Sequence, residues 1–136
     1  MRTLSREQMK IDAEDDVALV RKRVRVLAQQ QQLDTFATAA LTTATSELTR
    51  NVWVHAKKGA VTIEIVSDES RMGIRLTFAD EGPGIPDVER VMRGGYSTAR
   101  SMGLGLSGSK RLVDEFSLET QVGRGTVIKL VKWKAF

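Results

Sequence analysis

Glu47 and Asn51 stand four positions apart in a segment, residues 34–51, whose apolar residues Phe36, Ala40, Leu41, Ala44 and Leu48 recur at helical spacing. On a helix the two project from one face, one turn apart. A glutamate there can take a proton from a hydroxyl or a water. The side-chain carbonyl of an asparagine is a hard oxygen suited to one position of an octahedral Mg²⁺. Asp80 follows the alternation Ile74, Leu76, Phe78, which leaves its carboxylate at the mouth of a core. An ionised carboxylate only accepts hydrogen bonds, so it pairs with the exocyclic amine of adenine and repels the keto oxygen of guanine. Gly82 and Gly84 let backbone approach a planar base, and Pro83 limits the turn between them. Further on, Gly103-Leu104-Gly105-Leu106-Ser107-Gly108 opens an expected helix, where free N–H groups and the helix dipole favour phosphate oxygens. A magnesium ligand, an adenine-reading carboxylate and a phosphate-cradling glycine turn thus follow one another along the chain. They are the parts of a site for MgATP.

The spacing G-x-G-x-x-G at Gly103 to Gly108 also fits a dinucleotide fingerprint, but that motif needs an apolar strand directly before it in a parallel βαβ unit. Here a polar loop, residues 94–101, leads into the glycines, so the fingerprint is rejected. His55, the single histidine, falls near the expected end of the Glu47 helix, where an imidazolium is favoured and a structural role outweighs phosphoacceptor chemistry. Trp53 and Trp133 read as packing residues.

The elements that must position these residues follow from periodicity. Residues 4–11 fit a short strand and 14–31 a first helix. Asp34 is the expected N-cap of a second helix through about Asn51. Val61, Ile63 and Ile65 alternate with polar residues, as do Ile74, Leu76 and Phe78, which predicts a hairpin. A short helix from Pro86 to about Met92, a loop over 93–102, a helix from about Gly105 to Phe116 and strands over 117–122 and 126–133 complete the pattern. The expected fold class is α+β: a two-layer sandwich with a mostly antiparallel sheet and helices on one face.

With 136 residues the chain fits one domain, residues 1–136, and can bury a real core. The absence of cysteine excludes disulfides, thiolate metal sites and cysteine nucleophiles. With no signal-like or membrane-spanning apolar run, a cytoplasmic location is expected. The net charge of +4 raises the question of nucleic acid. The densest basic cluster, Arg21, Lys22, Arg23 and Arg25, lies on the wet side of a helix whose apolar stripe is Val17, Val20, Val24 and Leu27. A solvated face is favoured, an acidic docking partner comes second, and neither nucleic acid nor membrane is expected as a partner.

Taken together, Glu47 to Asn51, Asp80 to Gly84, Gly103 to Gly108 and Gly125-Thr126 resemble the N box, two glycine boxes and late threonine element of the GHKL (Bergerat-fold) ATPase and kinase superfamily. Ser46 to Asn51, Gly82 to Asp87 and Lys110 to Leu118 look, more narrowly, like the RsbT-type serine/threonine protein kinases of bacterial stressosome signalling. The resemblance implies ATP and Mg²⁺ as cofactors, Glu47 as general base and Asn51 as the Mg²⁺ ligand. It makes Asp80 the adenine reader, assisted by Thr126, with Gly82 and Gly84 bordering the base. Gly103, Leu104, Gly105 and Leu106 would serve the phosphates, and the segment 94–103 would be an ATP lid offering Arg100 as a phosphate contact. It further implies transfer of the γ-phosphate to a serine of STAS-domain partners, and activation of a PP2C-type phosphatase upon release. Alternatives within the fold are an anti-sigma-factor kinase that holds a sigma factor directly, and a nucleotide-gated interaction module without catalysis. The oligomeric state is left open.

Overall fold

The computed structural model of the protein describes residues 1–92 and 102–134 and, for Val91 and residues 102–105, the backbone alone. The elements run β1 (Arg2–Ile11), α1 (Asp16–Gln30), α2 (Thr35–Ala56), β2 (Gly59–Asp68), β3 (Arg71–Asp80), α3 (Val88–Met92), α4 (Met102–Leu112), β4 (Glu115–Gln121) and β5 (Gly125–Trp133). One five-stranded sheet has the order β1-β2-β3-β5-β4, and its four pairings are antiparallel. The α+β sandwich expected from periodicity is therefore present. The parallel βαβ unit that a dinucleotide fingerprint needs is not found among the described residues.

Strand alternation separates the two sheet faces. Val61, Ile63 and Ile65 of β2, Ile74, Leu76 and Phe78 of β3, and Ile128 and Leu130 of β5 are buried beneath the helices. They meet Val20, Val24 and Leu27 of α1 and Leu41, Ala44, Leu48 and Val52 of α2. Each buried Val, Leu, Ile or Phe among them contributes about 1.5–3 kcal/mol by leaving water. That burial fixes α2 across the sheet, and with α2 the residues Glu47 and Asn51. The opposite face is more polar. There the Arg75 guanidinium grips Glu64 through two hydrogen bonds of 2.9 and 3.1 Å, and this contact holds the Glu64 carboxyl below its usual range. Trp133 packs with Val66 and Val131 on that face and donates its indole N–H to Glu115, 2.8 Å away, while Arg71 lies 4.0 Å above its ring.

Element boundaries differ from the sequence expectation at three places that matter. α2 runs on beyond Asn51 to Ala56 and stops where Lys57 adopts a left-handed φ of 65°, its N–H bonded to the carbonyls of Val52 and Trp53. The run Val52-Trp53-Val54 has no strong helix preference, and packing on the sheet holds it helical. The helix expected to reach Phe116 stops at Leu112 instead. Asp114 turns the chain into β4, donating its N–H to the Val131 carbonyl and accepting the Trp133 N–H on its carboxylate at 2.7 Å. Phe116 is a strand residue. The short helix begins at Val88, not Pro86, because the Asp87 carboxylate accepts the Arg90 N–H at 3.1 Å and caps it. Asp34 caps α2 as expected, accepting the Ala37 N–H at 2.7 Å. No helix among the described residues is long and apolar enough to cross a membrane.

Candidate nucleotide site

A cleft opens between the C-terminal half of α2, the end of β3, the turn after it, the start of α4 and β5. It is lined by Leu48, Asn51, Val52, His55, Ala56, Phe78, Asp80, Pro83, Gly84, Ile85, Leu106, Thr126 and Ile128. Together with the open solvent at its mouth, the space between these residues is about 440 Å³. Five residues singled out from sequence meet here: Asn51, Asp80, Gly84, Leu106 and Thr126. They come from segments far apart in the chain, and apolar side chains from the core form the walls between them.

Asp80 is the last residue of β3, opposite Thr126 of β5. Burial pushes its carboxyl pKa up, while the backbone N–H groups of Gly82 and Thr126 and the charge of His55 pull it back. The Gly82 N–H bond to Asp80 Oδ1 is 2.9 Å long. Gly82 does not line the cleft. A Cβ on it would meet Ala56 Cβ at 2.6 Å, so glycine is what allows the turn to pack on the end of α2. Gly84 has φ +77°, and a Cβ there would lie 2.6 Å from the Gln121 carbonyl. The turn is also tied to the β4–β5 hairpin, since Gly123 N–H donates to the Pro83 carbonyl at 2.9 Å. Gly125, at φ +134°, passes against the Asp80 carbonyl so closely that a Cβ would collide with it.

The other end of the cleft has fewer internal bonds. Asn51 Nδ2 is buried and has no hydrogen-bond partner among the described residues, and neither does the buried Ser109 hydroxyl of α4. A buried amide left unpaired costs free energy until a ligand engages it. Either end of that amide can turn to the cleft, so the position fits a Mg²⁺ ligand through Oδ1. Among the described residues no group of three His, Cys, Asp or Glu could hold a metal, so the remaining ligands would come from phosphates and water. Gly103, Leu104 and Gly105 lie in the first turn of α4, whose leading N–H groups have no carbonyl partner within the helix. Arg100 and most of the expected lid lie outside the described residues.

Glu47 does not line the cleft. It sits one turn before Asn51 on α2 with its side chain 44% exposed, and Arg50 Nη1 is 3.5 Å from its carboxylate. Such a position is open to an incoming hydroxyl and stands apart from the cleft. His55 and Ala56, in contrast, line the cleft and were not assigned to it from sequence. The missed signal was helix length: one further turn of α2 carries both residues to the cleft.

The whole cleft falls within residues 11–132, which match the family model of the histidine kinase-like ATPase domain. The chain is 43% identical over 125 residues to the serine/threonine-protein kinase RsbT of Bacillus subtilis, covering 92% of this chain and 94% of that protein. It is 31% identical over 119 residues to the anti-sigma F factor of Geobacillus stearothermophilus, covering 81% and 80% of the two chains. The RsbU and RsbW domains of Rv1364c from Mycobacterium tuberculosis superpose with a TM-score of 0.66 at 18% identity, covering 94% of this chain and 32% of that one, and this likeness concerns the fold. The chain belongs to the histidine kinase-like ATPase domain family and, within it, to the RsbT-type serine/threonine protein kinases.

Proposed function

We propose that this partner-switching kinase transfers the γ-phosphate of ATP to a serine on a STAS-domain partner and, once released from it, activates a PP2C-type phosphatase. The observation that carries the reading is the convergence of Asn51, Asp80, Gly84, Leu106 and Thr126 on one cleft, with Glu47 one helical turn outside it. Asp80 and Thr126 receive the adenine edge. Asn51 would hold Mg²⁺, whose charge would offset that of the phosphates. The first turn of α4 receives phosphate oxygens. Glu47 accepts the proton of the partner's hydroxyl as that oxygen attacks phosphorus, the bond to the ADP oxygen breaks, and ADP leaves. Phosphoryl transfer needs alignment and charge neutralisation more than covalent help from the protein. A partner that brings its serine to the exposed side of Glu47 therefore completes the site.

The test incubates the protein with γ-labelled ATP and Mg²⁺, with and without a STAS-domain protein. Label on the partner alone is the expected result; label on no protein overturns the kinase assignment for that partner. A second reading, direct capture of a sigma factor, is favoured by the similarity to anti-sigma F factors. A nucleotide-dependent complex with a purified sigma factor, without phosphorylation of any STAS protein, would select it.

A further inference from the structure

Thr120 belongs to no recognised motif, yet its hydroxyl joins three segments around the base end of the cleft. Its Oγ1 accepts the Ile85 N–H at 3.0 Å, donates to the Gly125 carbonyl at 3.0 Å and lies 2.9 Å from Thr126 Oγ1. A hydroxyl has one proton and two lone pairs. The Gly125 carbonyl can only accept and the Ile85 N–H can only donate, so when Thr120 gives its proton to Gly125 it meets Thr126 with a lone pair. Either hydroxyl could donate in the contact between the two, and donation by Thr126 is the arrangement in which all three bonds form at once. That donation uses the only proton Thr126 carries, and its oxygen is left with lone pairs alone for the cleft it lines.

We infer that Thr120 is a positioning residue for base selectivity: by holding the Thr126 proton it keeps Thr126 an acceptor beside the Asp80 carboxylate. The base end then presents two acceptors and no hydroxyl donor. An exocyclic amine satisfies them, whereas a keto oxygen at the same position meets lone pairs. Selectivity for a 6-amino purine is thus set partly by a residue one step removed from the ligand. The inference rests on the nucleotide reading of this cleft.

The probe is inosine triphosphate, which replaces the 6-amino group of ATP by a keto group and turns N1 from an acceptor into an N–H donor. That change is common to wild type and variants, so the ATP-to-ITP ratio is compared between proteins. Affinities for MgATP and MgITP are measured by calorimetry on wild type, Thr120→Val and Thr120→Ser. Freed from Thr120, Thr126 can rotate and donate to a keto group, so the valine variant should lose about tenfold of the ATP preference. The serine variant should keep it. If the valine variant is insoluble, Thr120→Ala carries the same comparison. Equal weakening of both nucleotides, with their ratio unchanged, would reduce Thr120 to a structural tie and overturn the inference while leaving the ATP site intact. A wild type that binds the two nucleotides equally overturns the inference alone, whereas one that binds neither sinks the nucleotide reading and the inference with it.

Discussion

The two ends of the cleft are built differently. At the end beside Asp80, the residues Asp80, Gly82, Pro83, Ile85, Thr120, Gly123, Gly125 and Thr126 are joined by main-chain, carboxylate and hydroxyl hydrogen bonds of 2.9 to 3.0 Å, and Gly82, Gly84 and Gly125 stand where a Cβ would collide. At the other end, the Asn51 amide nitrogen is buried without a partner among the described residues, and outside the cleft, one turn earlier on α2, Glu47 is half exposed in a loose pair with Arg50. On the proposed reading, the first end is pre-formed for a rigid planar base and loses little entropy on binding it. On the same reading, the second end is completed by what binds, namely phosphates, a metal and a partner's hydroxyl. A kinase that serves protein partners gains from this division, because nucleotide can be seated before the acceptor arrives.

Substitutions at the two ends should therefore fail in different ways. The largest effect is expected for Glu47→Ala, which should lower phosphotransfer to the partner by about 10²- to 10⁴-fold while nucleotide affinity stays near wild type. Quench-flow transfer assays with parallel calorimetry would check it, and unchanged transfer would remove Glu47 from the chemistry. Asp80→Asn should weaken ATP binding by roughly ten- to a hundredfold, because the amide can turn a donor toward the adenine amine. Binding that is indifferent to this change would dissolve the contrast between the two ends. Asn51→Ala should cost about tenfold in ATP affinity with Mg²⁺ present and much less in EDTA, a difference that a magnesium titration reads directly.

The smallest effect concerns stability and carries a definite sign. Burial raises the Asp80 pKa above its unfolded value, so in that window the folded chain binds more protons than the unfolded one, and stability falls as pH rises through it. Above the window, ionised Asp80 is a standing cost that a neutral amide lacks. Nucleotide-free Asp80→Asn should accordingly melt at a higher temperature than wild type at pH 7, and the gain should shrink as pH is lowered through the Asp80 titration. Glu7 and Glu64, whose pKa values are lowered by Arg23 and Arg75, act in the opposite sense: their contribution is present above the unfolded pKa and is lost as pH falls through the folded one. Melting curves across pH for wild type and variant, compared as differences, isolate the Asp80 share. A variant less stable than wild type at neutral pH would contradict the burial argument.

Much of this was legible in the chain itself. The β-branched alternation of Val61, Ile63, Ile65 and of Ile74, Leu76, Phe78 determined which strand faces are buried, because strand side chains alternate with a period of two. The stripe through Leu41, Ala44 and Leu48 determined that Glu47 and Asn51 share a helix face. Asp34 announced the start of α2 through its side-chain acceptor, and the order of the three polar motifs carried the family. These features depend on residues near one another in sequence.

What the chain could not reveal depends on segments that are distant. α2 continues to His55 and Ala56 because the sheet beneath it supplies burial that propensity does not, and this extra turn forms one wall of the cleft. Phe116 left the helix for a strand because Asp114 found partners on β5, 17 and 19 residues further along the chain. Thr120 is an ordinary strand threonine until the first glycine turn and the β4–β5 hairpin meet at its hydroxyl. Local periodicity determined the elements and the residues with chemical potential. Only the tertiary structure decided which of them share a cavity, which polar atoms are already satisfied and which are left for a ligand, since hydrogen-bond satisfaction is a property of groups brought together in space.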